Sequence, residues 1–280
     1  MGFRDMDIRR CAETGEGYRF SDDIMLYPIK VSDLELFYAC MPVLTLRQST
    51  LPVAYAARPF AEAIFAMALN EEFRDTDYGS CYARFANLLA LSMRISIQSF
   101  MNPIVDANDY TKLKALIVKQ DTDEMGENLV RLEVRQLGQI RAVIAELNGK
   151  QLPDEADNAE IIEAEEVIKS NGGADLKADL TDLKASIAAY YHIRMRDLGD
   201  WTIYEFEKAR SAIERMTRCM ICGIGEAGGM VKYEKGNPFP SLFFDRKPES
   251  VALIGMDEFQ RRVNGAVTMS DGLPDMPIPT

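Results

Sequence analysis

The sequence has one histidine, one tryptophan and five cysteines in 280 residues. The cysteines are odd in number and widely scattered, which suits reduced thiols in a cytoplasm and no disulfide framework. Long hydrophobic runs are missing. The longest largely apolar run, residues 34 to 46, is too short for a membrane span and contains Glu35. The first ten residues, MGFRDMDIRR, carry charges and no apolar h-region, so no signal peptide is expected. Met1-Gly2 begins as a myristoylation signal does, but Met6 stands where Ser or Thr is required. No basic run offsets a net charge of −12, from 32 basic and 44 acidic residues. Such a chain does not favour nucleic acid or anionic membranes as partners. No G-x-S-x-G, H-E-x-x-H, P-loop or EF-hand pattern occurs. The lone His192, in AAYYHIRMRDLGDW, neither establishes nor excludes a mechanism and reads as a helix residue near a junction.

What is present is helical periodicity. With 47% hydrophobic residues the chain can bury a sizeable core in one or two domains. The expected fold is all-α, a multi-helix globular protein. Residues 1 to 30 read as irregular, with a short strand near 25 to 31. Ser32 and Glu35 have capping-box spacing and open a helix to about Leu46, kinked at Pro42. Further helices are expected over 53–69 and 82–100, the latter stopped by Asn102-Pro103. From Asp109 to Leu147 the spacing of Leu129, Leu132, Leu137, Ile140, Val143, Ile144 and Leu147 predicts one long helix or two, ended by Asn148-Gly149.

The expected domains are an N-terminal helical domain over 1–149, an acidic linker or helix over 150–182, a C-terminal helical domain over 183–264, and a disordered tail over 265–280. Residues 153 to 182 hold ten acidic residues against Lys169 and Lys177, and so supply −8 of the −12. This segment reads as a solvated linker helix or, more sharply, as an acidic patch for a basic partner. A helix over about 176–198 leads into the C-terminal domain. Beyond Gly229 the period changes to short β-capable runs near 230–245, with one more helix over 257–263.

The most informative stretch runs from Trp201 to Arg246. Thr202 and Glu205 form a second capping-box pair, and Trp201 is placed to staple onto Phe206. Ile203, Phe206, Ala209, Ile213, Met216 and Met220 recur in steps of three and four, and Gly223 and Gly225 are expected to end the helix. Cys219 and Cys222 share a helix face, but two thiols do not complete a tetrahedral zinc site, so they read as buried helix-face residues. Gly223, Gly225 and Gly228 match G-x-G-x-x-G in form. That fingerprint needs a strand before it and a helix after it, so a flexible turn is expected instead of a nucleotide site. In the segment Lys235, Gly236, Asn237, Pro238, Phe239, Pro240 the two prolines are expected to hold the backbone extended with unpaired carbonyls, and Phe239, Phe243 and Phe244 are expected to offer interface anchors.

At these residues the chain resembles a family. WTIYEF at 201–206, GGMVKYEKGNPFPS at 228–241 and FFDR at 243–246, together with YPIKVSDLELFYACMPVLTLRQSTLPVAYAARPF at 27–60, are similar to proteins of tailed phages and prophages of low-GC Gram-positive hosts. The chain departs from that pattern at Leu242, where an aromatic is expected, and at Gly225 to Gly229, which is richer in glycine than the pattern. The resemblance is to tail assembly chaperones encoded beside the tape-measure gene. It implies a mostly helical, non-enzymatic protein of the host cytoplasm that coats the tape-measure helix before the tail tube polymerises and is absent from the mature virion. A tape-measure helix exposes apolar stripes that aggregate unless covered, and helical grooves cover them. The expected partners are the tape-measure protein or other tail proteins and further copies of the chain itself, with no cofactor and no metal. Trp201, Phe206 and residues 235 to 240 are the candidate contacts, with Phe243 and Phe244. A structural virion component, such as a tail connector or baseplate protein, is the alternative; an enzyme would need a pocket of convergent polar groups.

Overall fold

The computed structural model describes residues 3–100, 103–121, 127–153 and 179–229. The chain divides into two compact units, Met1–Ala212 and Ile213–Thr280. In the first, helices dominate but two small antiparallel sheets accompany them, so the all-α expectation is corrected to helix-dominant with two sheets. The first thirty residues are not irregular. They form α1 (Phe3–Thr14) and a hairpin of β1 (Tyr18–Ser21) and β2 (Ile24–Leu26), with a bulge between Arg19 and Ser21. The hairpin buries Ile24 and Leu26, two residues apart, which is the period of a one-sided strand.

α2 (Leu34–Thr45) runs through Pro42, and no side-chain cap hydrogen bond opens it, so the Ser32–Glu35 box is not formed. The expected helix over 53–69 is divided into α3 (Val53–Ala56) and α4 (Phe60–Leu69), because Pro59 removes a backbone donor at the junction. α5 (Asp77–Met93) ends earlier than expected, at Arg94, whose φ of 54° lets Ile95 N–H reach back to Ala90 C=O. A Cβ on Gly79 would lie 2.2 Å from the Phe73 carbonyl oxygen, so this first turn of α5 closes only on glycine.

The largest correction falls on residues 109 to 133. In place of a helix there is a three-stranded sheet, β3 (Ile104–Val105), β4 (Leu113–Asp121) and β5 (Glu127–Glu133), in the order β3-β4-β5. Ala115 pairs with Glu133 and Val118 with Val130. Leu113, Ala115 and Val118 are buried with Val130 and Leu132, whereas Leu129 is 52% exposed. Leu129 and Leu132 therefore do not share a helical face. Only at Glu133 does the period become helical, where Glu133 and Gln136 form a capping box for α6 (Val134–Leu147).

α6 lies against α1, α4, β4 and β5, and α5 packs on α2 and α4. Phe37, Ile64, Met67, Phe85, Leu88, Leu89, Leu137, Ile140 and Ile144 fill the core between them. One charge is sealed in this core. Arg141 is 5% exposed, lies 3.7 Å over the Phe60 ring, and donates to the carbonyls of Val43 (3.0 Å), Leu44 (3.1 Å) and Leu46 (2.5 Å). These are the orphan acceptors at the end of α2, where Leu46 is extended and no glycine caps the helix.

α6 ends at Asn148-Gly149 as expected, with Gly149 at φ +68°. Asn148 is fully buried; its amide oxygen accepts from Ile29 N–H (2.9 Å) and its amide nitrogen donates to Ile144 C=O (2.8 Å). α7 (Leu180–Tyr190) is capped by the Asp179 side chain and closed by His192, at φ 55°, with Ile193 N–H bonded to Ala188 C=O. His192 thus holds a left-handed helix-stop position. A 3-10 turn, Met195–Asp200, then leads to α8 (Ile203–Ala227). Most of the acidic segment and the whole of 230–280 lie outside the described residues, including the β-capable runs, the 257–263 helix and the 265–280 tail.

Candidate functional site

α8 begins as its sequence predicts. Thr202 N–H donates to Glu205 Oε2 (2.7 Å) and Glu205 N–H donates to Thr202 Oγ1 (3.1 Å), a complete capping box. The entry is held by backbone as well. Val31 N–H donates to Trp201 C=O and Ile203 N–H donates to Ile29 C=O, both at 2.8 Å, around an antiparallel Lys30–Thr202 bridge. Ile203 and Phe206 are fully buried and Ala209 nearly so. Trp201 is half-buried, and its ring meets Tyr191 edge to face at 5.7 Å.

Behind this cap is a charged knot that the sequence did not announce. Glu207 Oε1 accepts from Tyr38 Oη (2.5 Å) and Lys150 Nζ (2.7 Å), while Oε2 accepts from Arg210 Nε (3.0 Å) and Nη2 (2.9 Å). Burial works to raise the Glu207 pKa, but the hydrogen bonds from Lys150 and Tyr38, the Lys150 charge and the Arg210 bond outweigh it and hold the carboxyl at about 2. The same burial, with the hydrogen bond to a carboxylate, pushes the Tyr38 hydroxyl up. Three separate parts of the chain meet here: α2, the residue after Gly149, and α8. Only the Glu207–Arg210 spacing of three on one helix was visible beforehand. One carboxylate is shared by two cations and a hydroxyl, which ties α8 to α2 and to Lys150, and the knot reads as an anchor.

The second unit contributes the continuation of α8. Gly223 and Gly225 do not end the helix; it continues to Ala227 and stops at Gly229, whose φ is +66°. The G-x-G-x-x-G match is therefore mostly helix and no phosphate-cradling turn. Along this part Ile213 and Met216 are half-buried, and Met220, Ile221 and Ile224 are 53%, 65% and 67% exposed. Cys219 and Cys222 are half-buried free thiols, which corrects the expectation of buried ones; Cys11, Cys40 and Cys81 are buried. Burial pushes those three thiols up.

Of the contact residues expected from the sequence, Trp201 and Phe206 are placed at the root of α8. Lys235, Gly236, Asn237, Pro238, Phe239, Pro240, Phe243 and Phe244 lie outside the described residues. An open cleft of about 580 Å³ in the first unit carries Asp22 and Asp23 with Arg94, Ser96 and Lys119 on its walls. The Arg94 guanidinium sits 4.1 Å over the Tyr27 ring there. His192 is not among its residues. Among the described residues no cluster of three or more His, Cys, Asp or Glu side chains could hold a metal, and no helix is long and apolar enough to cross a membrane. No family model matches the chain, and neither a curated protein nor a solved structure matches it.

Proposed function

We propose that this protein is a non-enzymatic tail assembly factor of a tailed phage or prophage, a chaperone that holds the tape-measure protein in the host cytoplasm and leaves before the virion is complete. The observation that supports it is the division of α8. Its root is fixed by a capping box, three nearly or fully buried apolar residues and the Glu207 knot, whereas Met220, Ile221 and Ile224 are more than half exposed. A helix rooted in one place, whose free part exposes Met220, Ile221 and Ile224 beside the polar Glu214, Thr217, Arg218 and Glu226, suits the helix-in-groove mode of binding. The partner's apolar stripe would cover these residues. Fully burying side chains of this size is worth about 1.5–3 kcal/mol each. With a third to a half of each already covered, the gain is roughly 3–5 kcal/mol for the three, modest enough for reversible release. The acidic chain as a whole, at −12, favours a basic partner segment.

The test is co-expression with the tape-measure protein of the same gene cluster, followed by affinity capture and light scattering. A soluble complex with many copies per tape-measure chain is expected. Met220→Asp/Ile224→Asp should weaken capture at least tenfold without lowering the melting temperature. No association, together with presence of the protein in purified particles, would replace this reading by that of a connector or baseplate component.

A further inference from the structure

One stripe of α8 is self-complementary. Arg215, Cys219, Cys222 and Glu226 follow one another in steps of four, three and four, which keeps them on one side of the helix. Arg215 and Glu226 are equally far from a point midway between Met220 and Ile221, and so are Cys219 and Cys222. Reversing the stripe therefore places Arg215 on Glu226 and Cys219 on Cys222. Both thiols are free and half-buried, and so reach the helix surface.

We propose that two copies of this chain pair antiparallel along this stripe and bind one zinc ion through Cys219 and Cys222 of each copy. C-x-x-C is the ligand spacing of structural zinc sites, with Zn–S near about 2.3 Å, and tetrahedral sites take four ligands. One chain supplies half of that set, and among the described residues no third ligand joins it. A two-fold axis supplies the other half, because an isologous contact repeats each residue on both sides. Binding releases the four thiol protons to solvent and leaves Zn(S–Cys)4 with a charge of −2, with no oxidation or reduction. The Arg215 side chain of each copy lies one turn from Cys219 and offsets that charge, while it faces Glu226 of the other copy. Met220 and Ile224 lie roughly 100–160° around the helix from the cysteines. Zinc-linked pairing therefore leaves them uncovered, and it does not depend on the tape-measure reading.

The full chain, stripped of metal and kept reduced with a phosphine, is titrated with Zn2+ and separately with Co2+. Light scattering should show particle mass doubling, complete at one metal per two chains and reversed by a chelator. The Co2+ form should show the thiolate charge-transfer absorption of sulfur coordination. Cys219→Ser/Cys222→Ser should lose both signals while keeping its circular dichroism. Arg215→Glu should weaken the dimer at least tenfold, and adding Glu226→Arg should restore it. No metal uptake, one metal per chain without mass doubling, a dimer indifferent to chelator, or unchanged uptake in the serine variant would overturn the site. Failure of the charge exchange to restore the dimer would overturn the antiparallel register on which it is built.

Discussion

Replacing Glu207 by Gln isolates the knot that roots α8. The variant keeps size and one acceptor oxygen but removes the charge that Lys150 and Arg210 face at 2.7 and 2.9 Å. The Glu207 side chain is 12% exposed, so its interactions are screened little. Its folded pKa of about 2 lies below the ordinary 4.5. A carboxyl depressed in the folded state binds protons less readily there than when unfolded. Its stabilisation is therefore fully present above pH 4.5 and is lost as the pH falls through that value toward about 2. A shift of this size corresponds to something on the order of 3 kcal/mol. Urea unfolding followed by circular dichroism should place Glu207→Gln below the parent by about 2–3 kcal/mol at pH 7. Between pH 4.5 and pH 3 the gap should shrink to less than half. Other carboxylates titrate in both proteins and cancel in the difference. A gap that stays constant from pH 7 to pH 3, or that never exceeds about 0.5 kcal/mol, would refute the reasoning, because it would make the knot an ordinary surface pair.

Two further changes probe the packing that supports this root. Arg141→Met keeps the apolar stem but leaves the carbonyls of Val43, Leu44 and Leu46 without their donor. A loss of about 3–5 kcal/mol is expected, read as a drop in the urea midpoint at unchanged slope. Gly79→Ala introduces a Cβ 2.2 Å from the Phe73 carbonyl, so despite the higher helix propensity of alanine it should destabilise by about 1–3 kcal/mol. For a unit of this size, each kcal/mol lowers Tm by roughly 2–4 °C in a thermal melt. An unchanged or raised Tm would show that the Glu71–Phe73 turn yields freely.

The residues that could be read beforehand are those whose meaning is local. Thr202 and Glu205 cap α8 because their partners are three residues apart, and Asn148-Gly149 ends α6 because Gly149 takes a positive φ at no steric cost. Composition likewise determined the charge of −12 and the lack of a long apolar run. The strands over 113–133 were hidden because Leu129, Leu132, Leu137 and Ile140 sit at intervals that suit a helix. Pairing of β4 with β5 settled the matter by burying Val130 and Leu132 and leaving Leu129 exposed. Gly223 and Gly225 read as stops because glycine weakens a helix, yet each costs only about 1 kcal/mol, and α8 continues to Ala227. Arg141 on the end of α2 and Lys150 and Tyr38 on Glu207 join residues dozens to more than a hundred positions apart. No periodicity records such partners. Only the tertiary structure, by burying each charge beside an acceptor or an opposite charge, decided which residues would hold α8 in place.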